Sequence, residues 1–321
     1  MEACLRPIEP ADVPVTTELL AQALPPEGIT PAKFARLVLL DPNFDASGAI
    51  VAAAGQRIIG FVYSAARQQP LNEADRGRGF ITALAVAPEF RQKGIGTRLI
   101  QAAEMLMLRR GKREILVSPY APCYFTPGID SAQYPAADRL FRKLGYQEVS
   151  RPISMRCDLT TLTIPPFVIE ARNRLAAEGV TVEPFQPAFT RAILDFVTGE
   201  FGADWEAVYR DTIQQILRGQ ASEHRVIVAH SKGTVLGVCH HEADRFGPIG
   251  VAAAARHQRI GQVLMYETLN AQRGAGHSTA YFLWSDDSTA ARLYRGAGFV
   301  EVRRFSILRK MLVEDQPIGR G

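Results

Sequence analysis

Two glycines and an arginine raise the first chemical question. In VAPEFRQKGIGTRLI, Gly94 and Gly96 stand between an apolar segment and a run of helical spacing, with Arg91 just ahead of them. The first amides of a helix have no internal partner and its macrodipole adds partial positive charge, so such a turn can hold phosphate or pyrophosphate. Glycine permits positive φ and close backbone approach, and an arginine fork pairs with phosphate oxygens. The bland alternative is a plain chain reversal with a solvated Arg91. The pattern returns 165 residues later as IGVAAAARHQRIGQVLM, with Arg256 and Gly261, which favours the chemical reading. Neither GxxxxGK followed by Ser or Thr nor a GxGxxG opening a first βαβ unit is present, so nucleoside triphosphate hydrolysis is disfavoured.

Other reactive side chains are less telling. His240, His241 and Glu242 end an apolar segment, and Asp286-Asp287 follow another. Either group could relay a proton, but a solvated strand end or turn is the stronger reading of each, because a polar cluster at a loop is ordinary. Cys4, Cys123, Cys157 and Cys239 lie far apart without a CxxC pair, so neither a metal site nor a disulfide framework is expected. Cys123 has no histidine near it in sequence, which argues against a cysteine nucleophile. Arg109-Arg110 and Arg303-Arg304 read as exposed charge.

The elements that must carry these residues come from a duplication. LRPIEPAD resembles VEPFQPAF at an offset of 177, and IVAAAGQRIIGFVYS matches VIVAHSKGTVLGVCHH at the same offset. The glycine turns match at 165, and ADRLFRKLGYQEVSRPISM matches AARLYRGAGFVEVRRFSIL at 153. Four blocks in one order predict two domains, 1–160 and 180–321, joined by a linker 161–179 with a short helix after Pro165-Pro166. The shrinking offset leaves the first copy two extra segments, near Gln68 to Gly79 and near Pro119 to Pro135. Each copy reads as strand, helical region, hairpin, third strand, glycine turn, helix, fourth strand, helix and final hairpin. The class is α/β with a mixed sheet.

Composition bounds the rest. The chain has 321 residues, 47% hydrophobic and 22% charged, which is ordinary for packed globular domains. A net charge of +4 without a dense basic block demands neither nucleic acid nor an anionic membrane as partner. An acid at position 2 and prolines at 7, 10 and 14 do not suit a secretory signal, and no stretch of about 18 apolar residues occurs. A cytoplasmic protein is expected, with its oligomeric state open.

With these motifs in place, the sequence resembles the GNAT superfamily of N-acetyltransferases. The signature R/Q-x-x-G-x-G/A is intact as Arg91-Gln92-Lys93-Gly94-Ile95-Gly96, and LFRKLGY and LYRGAGF resemble the family's LYxxxGF ending. The resemblance covers nearly the whole chain as two copies and implies two tandem domains, each a mixed, centrally splayed β-sheet flanked by helices. It implies acetyl-CoA as acyl donor, with pantetheine along Leu84, Ala85 and Val86 and phosphates within Arg91, Gln92, Lys93, Gly94, Gly96 and Thr97. In copy two the matching set is Ile249, Gly250, Val251, Arg256, Gln258, Arg259, Gly261 and Gln262. There Arg259 replaces the first signature glycine, and its side chain either crowds the pyrophosphate or pairs with it.

The implied reaction is attack of a neutral amine on the acetyl thioester, with an acid assisting thiolate departure. The family's usual tyrosine falls on Tyr294 in copy two and on Phe141 in copy one; core packing is the alternative reading of Tyr294. Tyr120, Tyr124 and Tyr134, in the second extra segment, could substitute for Phe141, and that segment could wall an acceptor pocket. The expectation is an N-acetyltransferase acting on an amine of a small molecule or protein. A non-catalytic acyl-CoA-binding or regulatory protein is the alternative, because each copy departs from the family pattern at a different place.

Overall fold

In a computed structural model, the structure describes residues 3–286 and 289–312. The strands are β1 (Cys4–Pro7), β2 (Ala49–Ala54), β3 (Arg57–Ala65), β4 (Arg78–Val86), β5 (Glu114–Val117), β6 (Gln147–Ser150) and β7 (Ile153–Asp158). They continue as β8 (Thr181–Pro184), β9 (Val226–Ser231), β10 (Thr234–Glu242), β11 (Arg245–Val251), β12 (Thr279–Ser285), β13 (Val300–Arg304) and β14 (Ile307–Met311). They form two seven-stranded mixed sheets, β1-β2-β3-β4-β5-β14-β6 and β13-β7-β12-β11-β10-β9-β8. The α/β reading with two similar mixed sheets is therefore correct.

The expected final hairpins are not. The segments EVSRPISM and EVRRFSIL each supply two strands, but β6 and β7 lie in different sheets, as do β13 and β14. β14 runs between β5 and β6, antiparallel to both, with Arg309 opposite Leu116 and opposite Gln147. β7 pairs antiparallel with β12, with Met155 opposite Phe282. The compact units consequently cut across the duplicated halves. One runs up to Pro152 and resumes at Arg304; the other is Ile153–Arg303. The segment 161–179 lies inside the second unit and carries the helix Pro166–Ala177, ended by Gly179 at φ +81°.

Period-two alternation gives each sheet two apolar faces. In the first unit Ala49, Val51, Phe61, Tyr63, Ala83 and Ala85 bury one face beneath Leu19 and Leu20 of the helix Val13–Ala23. Ile50, Ala52, Ile59, Val62 and Ile81 bury the other, against Leu99, Ile100, Ala103 and Met107 of the helix Ile95–Arg109 and Phe141 of the helix Pro135–Lys143. In the second unit the helices Thr190–Phe201 and Ala203–Leu217 cover one face and Ile260–Gly274 the other. Among the described residues no helix is long and apolar enough to cross a membrane.

Candidate active site

Each sheet opens along the strand that leads into its glycine turn. β4 and β5 pair in parallel from Arg78 opposite Glu114 to Ile81 opposite Val117, and Ser118 N donates to Ile81 O at 2.8 Å. Past Ile81, β4 continues to Val86 paired with β3 alone among the described residues. The second unit parts earlier: β11 and β12 share one register pair, Arg245 opposite Tyr281. Ala87 N donates to Ile59 O at 2.9 Å and Ala252 N to Leu236 O at 2.8 Å. Hydrogen-bonding edges alternate along an antiparallel pair, so the backbones of Leu84, Val86, Ile249 and Val251 face the gap. Those of Ala85 and Gly250 face the paired strand, and the Ala85 side chain is buried.

The two turns share one backbone. Arg91 and Arg256 have φ, ψ of −66°, 161° and −68°, 161°. Gln92 and His257 have φ of 60° and 66°, and Gly94 and Arg259 have φ of 77° and 68°. Arg98 N donates to Gly94 O at 3.0 Å, and Val263 N to Arg259 O at 3.1 Å. Helix geometry leaves the amides ahead of Arg98, on Ile95, Gly96 and Thr97, without intrahelical acceptors. Gln92, Lys93 and Gly94 are exposed, as are Gln258 and Arg259, whereas Gly96, Thr97, Gly261 and Gln262 are half-buried.

Each arginine also braces its strand end. Arg91 Nε donates to Val86 O at 3.0 Å, and Arg256 Nε to Val251 O at 3.1 Å. Lys93 Nζ donates to Glu89 O at 2.9 Å and lies 5.2 Å from the Phe90 ring centre. The glycines differ in purpose. A Cβ on Gly94 meets nothing within 4 Å, so its requirement is the left-handed φ. A Cβ on Gly96 would come within 3.0 Å of Leu140 Cδ2, so that glycine lets the helix Pro135–Lys143 approach the turn. Arg259 takes the left-handed conformation, which costs an L-residue about 1–2 kcal/mol. Its guanidinium lies 5.2 Å over the Phe167 ring, and Arg174 Nη2 donates to Gln258 O at 2.9 Å.

Tyr294 sits in an aromatic cluster, its ring centre 4.5 Å from Phe282, 5.7 Å from Phe299 and 6.1 Å from Phe246. Burial, then Cys239 and Asp286, raises its hydroxyl above the usual phenol range. That keeps it protonated. Phe141 is buried edge-on to Tyr146 at 5.0 Å. His240 and His241 are buried and point apart: His240 Nε2 lies 3.0 Å from Thr212 Oγ1, and His241 Nδ1 3.2 Å from Ala243 O. Asp286 is exposed, and Asp287 lies outside the described residues.

The two extra segments of copy one supply partners to buried groups that had no sequence motif. Arg67 pairs with Asp75 at 3.1 Å, donates to Ala121 O at 3.0 Å, and stacks 5.0 Å from Phe80 and 4.8 Å from Tyr120. Beside it, buried Asp41 accepts from Tyr63 at 2.6 Å and Tyr120 at 2.9 Å, and Asn43 Nδ2 donates to the Tyr120 oxygen at 2.6 Å. Burial and the Asp41 charge push both phenols up. Tyr124 is buried, and Tyr134 heads the helix Pro135–Lys143 with its hydroxyl on Glu27.

Comparison with known proteins then decides the family. A model described as the acetyltransferase (GNAT) family matches residues 17–126, and one described as an acetyltransferase (GNAT) domain matches 222–301, together more than half the chain. The chain belongs to the GNAT acetyltransferase family. Several solved GNAT structures share its fold over nearly its whole length. The GCN5-related glucosamine N-acetyltransferase region of a fungal multi-domain GH3 β-N-acetylglucosaminidase is 19% identical at a TM-score of 0.78, over 96% of this chain and 38% of the fungal one. A GCN5-related N-acetyltransferase from Sphaerobacter thermophilus is 20% identical at 0.70, over 98% of both chains. A tandem GNAT protein from the clavulanic acid biosynthesis pathway is 15% identical at 0.64, over 98% of this chain and all of that one. No curated protein matches. At these identities the likeness is one of fold, and the acceptor must be sought in this chain's own residues.

Proposed function

We propose that this protein is an acetyl-CoA-dependent N-acetyltransferase whose first unit holds the acyl donor and whose acceptor is a primary amine of a small molecule or protein. One observation carries the reading. In the first unit an exposed turn with a left-handed glycine leads directly from a strand whose edge is unpaired, so phosphates and an extended amide-bearing arm have adjoining places. Leu84 and Val86 present that edge to pantetheine. Gln92, Lys93, Gly94, Gly96 and Thr97 surround the phosphates, and Arg91 holds the turn onto β4 while facing them. The donor supplies an acyl thioester, and the chain's work is to orient it and move protons.

The second unit keeps the turn's backbone but is the weaker candidate. Arg259 carries its guanidinium over Phe167, and the Phe201 ring lies where a Cβ on Gly250 would meet its Cζ at 2.5 Å. Ile249, Val251, Arg256, Gln258, Gly261 and Gln262 form the corresponding frame. Titration calorimetry with acetyl-CoA tests the assignment on wild type, Gly94→Glu and Arg259→Glu. One site, lost with Gly94→Glu and kept with Arg259→Glu, supports it, because the added carboxylate repels phosphate at the first turn alone. Loss only with Arg259→Glu moves the donor to the second unit. A folded wild type that binds no acetyl-CoA overturns the function.

A further inference from the structure

One hydrogen bond of the first unit links an element on one face of the sheet to an element on the other. Tyr134 Oη donates to Glu27 Oε1 at 2.8 Å. Glu27 follows the helix Val13–Ala23, whose Leu19 and Leu20 lie on the face with Ala83 and Ala85. Tyr134 heads the helix Pro135–Lys143, whose Phe141 and Leu140 lie on the opposite face with Ile81, Leu84 and Val86. A bond between elements on opposite faces has to pass where the strands part or around a sheet end. Leu140 packs at Gly96, beside the turn, and Tyr134 immediately precedes the first turn of that helix, against the apolar cluster that Leu84 and Val86 also touch.

Both groups are held for the purpose. Glu27 is 6% exposed, and Gly28 after it turns left-handed at φ +53°. Lys33 Nζ donates to the Glu27 carbonyl, and Tyr134 N donates to Asp130 O at 2.7 Å. A buried carboxylate is costly unless hydrogen-bonded, so a phenol aimed at it is a specific pairing. Phe141 has no hydroxyl, and Tyr134, the residue that precedes its helix, carries one seven positions earlier.

We infer that Glu27 and Tyr134 are the proton-handling pair of the first unit, Glu27 serving the acceptor amine and Tyr134 the departing sulfur. The inference rests on the first unit being the donor unit. The amine nitrogen forms a bond to the acyl carbon, and the carbon–sulfur bond breaks with its electrons on sulfur. Glu27 takes the proton that nitrogen loses, and Tyr134 gives its own to sulfur. The Glu27 proton then returns to the phenolate across the 2.8 Å bond, so one proton passes in net from amine to thiol.

The test follows free-thiol release from acetyl-CoA across a panel of primary amines, with calorimetric Kd for acetyl-CoA and the melting temperature measured on the same proteins. Tyr134→Phe is expected to lower kcat about 10²–10⁴-fold with Kd within about threefold. Glu27→Gln is expected to lower kcat to a similar extent, again with Kd within about threefold, and the double variant to be no slower than the worse single one, as for residues acting as a unit. An unchanged kcat in both single variants with a lowered melting temperature would make the pair a structural clasp and overturn the inference. So would a wild type that binds acetyl-CoA yet releases no thiol with any amine, whereas absence of binding would instead bring down the donor assignment beneath it.

Discussion

Arg67 ties the two extra segments of copy one together. Its side chain and that of Asp75 are about 5% exposed, and its contacts reach both extra segments of copy one. Removing one partner of such a pair strands the other charge, at about 3–5 kcal/mol. Arg67→Ala should lose that much in urea unfolding, and Arg67→Lys should recover little, since lysine lacks the planar fork that both pairs and stacks. Tyr294→Phe should leave the same measurement within about 0.5 kcal/mol, because no hydrogen bond of that hydroxyl exists among the described residues and the ring contacts survive. Turnover lost without stability would then place the hydroxyl at the chemistry. His240 offers a pH handle: burial, against a hydrogen bond to Gly247 O, pushes it down to about 3 from an ordinary 6.5. A folded-state value below the unfolded one means the unfolded chain binds the extra proton, so stability is complete above about pH 6.5 and falls toward pH 3. His240→Gln should remove up to roughly 1.4 kcal/mol per pH unit from that acid slope.

At the scale of elements, the local devices were legible and the long-range pairings were not. The turn at Arg91 to Gly96 could be read because every part is within six residues, and its recurrence at Arg256 to Gly261 exposed the duplication. The strand partners could not be read. EVSRPISM and EVRRFSIL are similar enough that either final strand suits either sheet, so alternation marks them as strands without saying whose edge they complete. Arg67 and Glu27 were missed because a buried charge announces itself only through its partner, and Tyr134 lies 107 positions from Glu27. β14 carries a further partner of this kind: Lys310 Nζ lies 3.0 and 2.9 Å from the two Glu104 oxygens. The pair is mostly buried, so Lys310→Ala should destabilise the first unit by about 2 kcal/mol or more, read as a lower urea midpoint in a fluorescence titration.

For the whole molecule, the exchange predicts which fragments stand alone. Ile153–Arg304 contains every strand of its seven-stranded sheet and should give a cooperative melt by itself. Residues 1–160, the half that the duplication suggests, lack β14 and should be rapidly cleaved in limited proteolysis. An intact, protease-resistant 1–160 would show that the sheet tolerates an empty place beside β5.

The same exchange sets an order of manufacture. The first unit begins the chain yet closes only after Met311 is made, about 160 residues past Ser150, or roughly 8–30 s at ~5–20 residues per second. During that interval β5 has an unsatisfied edge and β6 has no neighbour, while the second sheet has already gathered β7 and most of its strands. On the ribosome, the unit begun earlier is therefore the later of the two to be finished.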